Sequence, residues 1–162
     1  MNLHSAYHLT QTQIEQFRQD GYIKLKDVLD AETLAHYGSE ITRLTIELNT
    51  QHLPLEERST YDKAFLQVMN LWEHSPVVNE FVNGKRLARI AAELLEVDGV
   101  RLYHDQSLYK EPGGGITPAH ADQYYWPLDT DKTVTAWIPL QATPLEMGPL
   151  EFSAGSHVIE AG

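Results

Sequence analysis

The residues best suited to chemistry are His120, Ala121 and Asp122, read as the start of a strand that follows a loop rich in glycine and proline. Along a strand, residues i and i+2 point to the same face. An imidazole nitrogen and a carboxylate oxygen can therefore reach one point in space from a rigid base. Two histidines and one carboxylate on one face of an octahedral ion leave three positions open, the arrangement of non-haem Fe(II) oxygenases. The open positions let a chelating cosubstrate and O2 bind side by side. Imidazole offers a lone pair near neutral pH, and aspartate helps neutralise the ion. The H-x-D spacing alone is a weak signal, because surface strands and turns produce it freely. His104-Asp105 supplies the contrast. Adjacent residues on a strand face opposite ways, so that pair is a poor chelate and His104 reads as structural or pocket-lining.

Positioning such a pair requires elements on both sides of it, and the chain divides into two textures. Residues 10–97 read as mainly helical. Thr10 with Gln13 makes a capping box, Ile14 and Phe17 share a face, and Gly21 stops the helix in a left-handed turn. Residues 22–26 alternate as a short strand. Asp30 caps a longer helix whose apolar residues Leu34, Tyr37, Ile41, Leu44 and Leu48 recur at spacings of three and four. Residues 50–62 read as a loop, and 65–73 (FLQVMNLWE) are apolar without a decisive period. Two short helices follow Pro76, divided by Gly84; the second buries Leu87, Ile90, Ala91, Leu94 and Leu95. From residue 99 onward, short β-like runs alternate with Gly/Pro breakers: VRLYHDQSLYK, the loop EPGGGITP, HADQYYWPL, TVTAWIPL and LEFS. That rhythm predicts a sandwich or barrel.

Composition bounds the rest. The 162 residues, 42% hydrophobic and 22% charged, suit one globular domain with a real core. Twelve Lys and Arg against 23 Asp and Glu give a net charge of −11, which argues against nucleic acid or a membrane surface as partner. With no cysteine, disulfides, thiolate metal sites, iron–sulfur clusters and a cysteine nucleophile are excluded, and a reducing compartment fits. No apolar run is long enough to span a bilayer, and the start MNLHSAYHLTQTQ lacks the parts of a signal peptide. The expectation is a soluble, cytoplasmic protein.

The ordered blocks LYHDQSLYKEPGGGITPAHADQYYWP, TAWIPL and MGPLEFSAGSH, with FLQVMNLW upstream, resemble the phytanoyl-CoA dioxygenase family of Fe(II)/2-oxoglutarate oxygenases. The resemblance runs from about residue 10 to the end and is strongest over 100–157. It implies an α+β fold in which the helical half packs on a double-stranded β-helix (jelly-roll) core. It also implies an enzyme that uses Fe(II), 2-oxoglutarate and O2 to hydroxylate a small organic substrate. His120 and Asp122 match the first two metal ligands. Asp122 in place of a small residue looks like a hydroxylase rather than a related halogenase. Trp137, Gln67 and Gln106 match positions that line the oxoglutarate pocket. For Trp137 a barrel-core aromatic is the alternative, and for Gln67 a bridge to the helical half. Lys110 beside the loop is either a contact for an acidic substrate or an exposed strand-end lysine. Tyr124, Tyr125 and Trp126 either line a substrate mouth or pack.

Gly155-Ser156-His157 reproduces the family's G-S-H turn, whose histidine is not the distal ligand. The family's distal histidine comes later and is followed by an arginine that clamps the far carboxylate of oxoglutarate. After Arg101 the sequence holds no arginine. Residues 1–162 are therefore expected to form one domain of this type, incomplete at its C-terminal side, with 99–162 as the first barrel strands. Oxoglutarate turnover by these residues alone is expected to be undetectable. Two other readings stay open: a non-catalytic jelly-roll binding module, and a cupin-like metal enzyme that uses His104 or His157 without oxoglutarate. Substrate identity and oligomeric state are not readable.

Overall fold

The computed structural model describes residues 3–159. Helix α1 (Gln11–Asp20) begins at the capping box, with the Thr10 hydroxyl accepting from the Gln13 amide at 3.2 Å and Gln13 Oε1 accepting from the Thr10 amide at 2.8 Å. It ends at Gly21, in a left-handed conformation (φ +80°), whose amide bonds to the Phe17 carbonyl. Helix α2 (Ala31–Leu48) starts at Asp30, which accepts from the Thr33 amide at 2.7 Å. Both starts follow from side chains satisfying amides that have no partner in the first turn.

Strand β1 (Leu66–Met69) leads through a 3-10 turn, Leu71–Glu73, to helix α3 (Pro76–Val82), where Ser75 caps and proline opens the helix. Helix α4 (Lys85–Leu95) follows, and strand β2 (Gln106–Tyr109) pairs antiparallel with β1 in the register Leu66↔Tyr109, Gln67↔Leu108, Val68↔Ser107, Met69↔Gln106.

The core lies between α2, the inner face of this sheet and α3. The α2 stripe contributes Tyr37, Ile41 and Leu44, which meet Val68, Leu71, Val78 and Phe81. The rings of Tyr37 and Phe81 sit 5.0 Å apart. Polar contacts fix the sheet on the helix. Buried Thr45 donates its hydroxyl proton to the Ile41 carbonyl at 2.7 Å and accepts from Ser107 Oγ at 2.8 Å, so its hydroxyl carries two contacts. Thr42 meets the Tyr109 hydroxyl at 2.5 Å. Side chains alternate along a strand, so this register turns Val68 and Ser107 inward and leaves Gln67, Gln106, Met69 and Leu108 on the opposite face.

The described residues thus combine helices with one two-stranded sheet, short of the jelly-roll core that the resemblance implies. Residues 22–26, 133–140 and 150–153, read as strands from their alternation and β-branched content, form no ladder. Alternation marks a half-buried extended chain, but a strand also needs a neighbour to take its amides and carbonyls. Other contacts hold these segments. Tyr22 stacks on Phe152 with ring centroids 4.8 Å apart, and Ile138 and Leu140 pack against the core. No helix among the described residues is long and apolar enough to cross a membrane.

Candidate metal centre

The loop before His120 is tied down at its base. Arg58, with a side chain only 8% exposed, pairs with Glu111 and donates from Nε to the Leu53 carbonyl at 2.8 Å. The Gly115 amide bonds to the Lys63 carbonyl at 2.6 Å. A Cβ on Gly114 would lie 2.8 Å from that same carbonyl, so the close approach requires glycine. Lys110 spends its ammonium on the carbonyls of Ala64 (3.2 Å) and Gly115 (3.1 Å). It is a staple for the loop.

His120 was read as opening a strand. Instead, Ala121 is extended (φ −111°, ψ 127°) and Asp122 begins a 3-10 turn, Asp122–Tyr124. One extended residue is enough to bring its two neighbours to the same side, so the i, i+2 convergence survives without the strand. His120 Nε2 lies 3.3 Å from Asp122 Oδ1. His120 Nδ1 lies 2.8 Å from the Pro118 carbonyl. A carbonyl can only accept, so Nδ1 carries a proton. In the neutral ring, Nε2 then aims a lone pair at a carboxylate oxygen. Two lone pairs directed at each other repel unless a proton or a cation lies between them.

This donor set suits a divalent metal. Two donors about 2.1 Å from a common ion would be about 3.0 Å apart at a right angle and about 3.4 Å apart at a tetrahedral angle. The observed separation falls between these. Among the described residues no third His, Cys, Asp or Glu joins the pair.

Neighbouring residues brace it. Thr135 Oγ1 donates to Asp122 Oδ2 at 2.9 Å, and the Tyr125 ring stands edge-on to His120 at 5.6 Å. Tyr124 and Tyr125 are exposed. Trp126 packs on His104 (4.4 Å) and Tyr103 (5.4 Å), joining the turn to the chain that leads into β2. His104 is therefore a packing residue here, with its Nδ1 buried and unpaired. Its neighbour Asp105 turns the other way and accepts from the Trp72 amide at 3.3 Å. Burial raises the Asp105 carboxyl above its ordinary range, against the pull of the Trp72 and Leu71 amides.

A second group forms on the outer face of the sheet. Gln67 and Gln106 are diagonal neighbours in the register, and Gln67 Nε2 donates to Gln106 Oε1 at 2.6 Å. Tyr61 donates its hydroxyl to Gln67 Oε1 at 2.8 Å, and a cavity of about 160 Å³ opens beside Tyr61, Phe65 and Gln67. With Gln67 Oε1 and Gln106 Oε1 both engaged, the Gln106 amide nitrogen is the donor left at the end of the relay. Trp137 is 42% exposed, while Ile138 and Leu140 face the core. The helical core thus takes the positions of opposite parity to Trp137.

His157 is docked elsewhere. Its Nε2 bonds to the Arg18 carbonyl at 3.0 Å, and the Gly155 amide bonds to the Asp20 carbonyl at 2.8 Å. A Cβ on Gly21 would come within 2.3 Å of His157 Nδ1, so the imidazole lies where only glycine leaves room. Sequence reasoning missed Thr135 and Tyr61. Thr135 lies 13 residues beyond its carboxylate, with no spacing rule to join them; Tyr61 is six residues from Gln67, in a stretch without a regular period.

No curated protein and no solved structure matches the chain. A model of the phytanoyl-CoA dioxygenase family matches residues 17–162, and the chain belongs to that family.

Proposed function

We propose that this chain carries part of the active centre of an Fe(II)- and 2-oxoglutarate-dependent oxygenase that hydroxylates a small organic molecule. One observation supports this reading above the others. His120 Nε2, with its proton placed on the far nitrogen by Pro118, faces Asp122 Oδ1 at a distance suited to two ligands of one ion. His120 and Asp122 would hold the iron. Bound there, Fe(II) with 2-oxoglutarate would supply O2 activation and oxidation of a C–H bond, with release of succinate and CO2.

The remaining roles belong to the protein. Gln106, oriented through Gln67 and Tyr61, would offer an amide N–H to oxoglutarate, and Trp137 would flank it. Tyr124 and Tyr125 would form the mouth through which substrate enters. The jelly-roll core belongs to the same reading. The cytoplasm fits the lack of cysteine, and the charge of −11 fits a small molecule better than nucleic acid or a membrane.

Anaerobic titration with Mn(II), a redox-stable stand-in for Fe(II), tests the reading. Saturable binding should be lost in His120→Ala and in Asp122→Ala, kept in His157→Ala, and tightened by 2-oxoglutarate. Binding indifferent to His120→Ala would refute it. Loss on His157→Ala instead would favour a cupin-like site.

A further inference from the structure

We propose that Thr135 is a positioning residue for Asp122, holding the carboxylate so that Oδ1 alone is presented beside His120 Nε2. The inference rests on the metal-centre reading and adds a residue that neither the H-x-D motif nor the family resemblance indicates. A carboxylate can ligate through one oxygen or two, and its side chain is free to swing unless something fixes it. Asp122 is half exposed and sits on a turn whose next residues, Tyr124 and Tyr125, are exposed as well. Nothing in that turn itself fixes the carboxylate.

The fixing comes from across the loop. Three bonds stitch the turn to residues 130–135. Gln123 Nε2 donates to the Thr130 carbonyl at 3.0 Å, Thr133 Oγ1 donates to Gln123 Oε1 at 3.1 Å, and Thr135 Oγ1 donates to Asp122 Oδ2 at 2.9 Å. Only the third reaches the ligand itself. Thr135 is also the one nearest the anchor, since Ile138 and Leu140 a few residues on pack against the core. The hydroxyl therefore transmits a fixed position from the core to an exposed carboxylate. It engages the oxygen that faces away from His120, which disfavours chelation through both oxygens and keeps a coordination position free. Partners of this kind behind a ligand commonly change metal affinity by about 10- to 100-fold.

The test is the Mn(II) dissociation constant of the full chain, read from the signal of free Mn(II) by electron paramagnetic resonance. Thr135→Val keeps the shape and removes the hydroxyl; Thr135→Ser keeps the hydroxyl. Binding should weaken about 10-fold or more in Thr135→Val and stay within about 3-fold of wild type in Thr135→Ser. Circular dichroism checks that the helices persist, and Thr135→Ala serves as a second variant should valine disturb them. Wild-type-like binding by Thr135→Val, or equal loss in Thr135→Ser, would each overturn the proposal alone. Absence of saturable binding by the wild-type chain would overturn the metal-centre reading, and this inference with it.

Discussion

Replacing Gly21 by alanine should destabilise the protein through His157, and the size of the effect can be worked out. Gly21 stands at φ +80°, where an L-residue is strained by about 1–2 kcal/mol. The added Cβ would lie 2.3, 2.6 and 2.9 Å from His157 Nδ1, Cγ and Cβ, so the ring must leave. Departure breaks the bond from His157 Nε2 to the Arg18 carbonyl. A solvent-accessible hydrogen bond of this kind contributes about 0.5–1 kcal/mol. The total is about 1.5–3 kcal/mol, measurable as a lowered urea midpoint at constant m-value. In a His157→Ala background the clash is gone and only the strain of about 1–2 kcal/mol should remain. A Gly21→Ala cost below about 0.5 kcal/mol, or the same cost with and without His157, would refute the reasoning.

Other outcomes follow from the same contacts. Tyr61→Phe removes the first donor of the glutamine relay and should weaken 2-oxoglutarate binding about 2- to 5-fold, with Gln106→Ala weakening it more; calorimetry in the presence of Mn(II) reads both. Thr45→Val leaves the buried Ser107 hydroxyl without its partner and should cost about 1–3 kcal/mol in urea unfolding, much of it recovered in a Thr45→Val/Ser107→Ala double variant. The Glu40 carboxyl is held down at about 2 by Arg43 and then Ser75, against an ordinary value of 4.5. Its contribution is present above pH 4.5 and fades as pH falls toward 2. Glu40→Gln should therefore lower the melting temperature at neutral pH and flatten its decline across that acid window.

What the sequence made legible was local. The Thr10–Gln13 box, the Asp30 cap and the Gly21 stop each depend on residues within one helical turn, and the α2 stripe depends on a period that the chain repeats. The approach of His120 to Asp122 is legible for the same reason, although Asp122 opens a 3-10 turn in place of the expected strand. Residues 133–140 show the limit. Their β-branched content describes what the side chains would suit, whereas a ladder depends on a second segment that no spacing names. For Lys110 the sequence leaves open a substrate contact or an exposed strand-end lysine, and no spacing names the carbonyls of Ala64 and Gly115 that it meets. Gln67 and Gln106 entered through resemblance, and their contact depends on an antiparallel register that neither strand states alone.

The bonds that shape the turn at His120–Asp122 span short stretches of chain. His120 reaches two residues back to Pro118 and two forward to Asp122, and Thr135 closes a loop of 13. The clasps of the helical layer cross far greater separations: 62 residues for Thr45 with Ser107, 81 for Arg86 with Ser5, and 139 for His157 with Arg18. Closing a short loop costs less entropy than closing a long one, so this turn can form early and survive partial loosening of the helices. Damage to the helical layer would then reach His120 and Asp122 through contacts such as the seat of Ile138 and Leu140 on the core and the stack of His104 on Trp126.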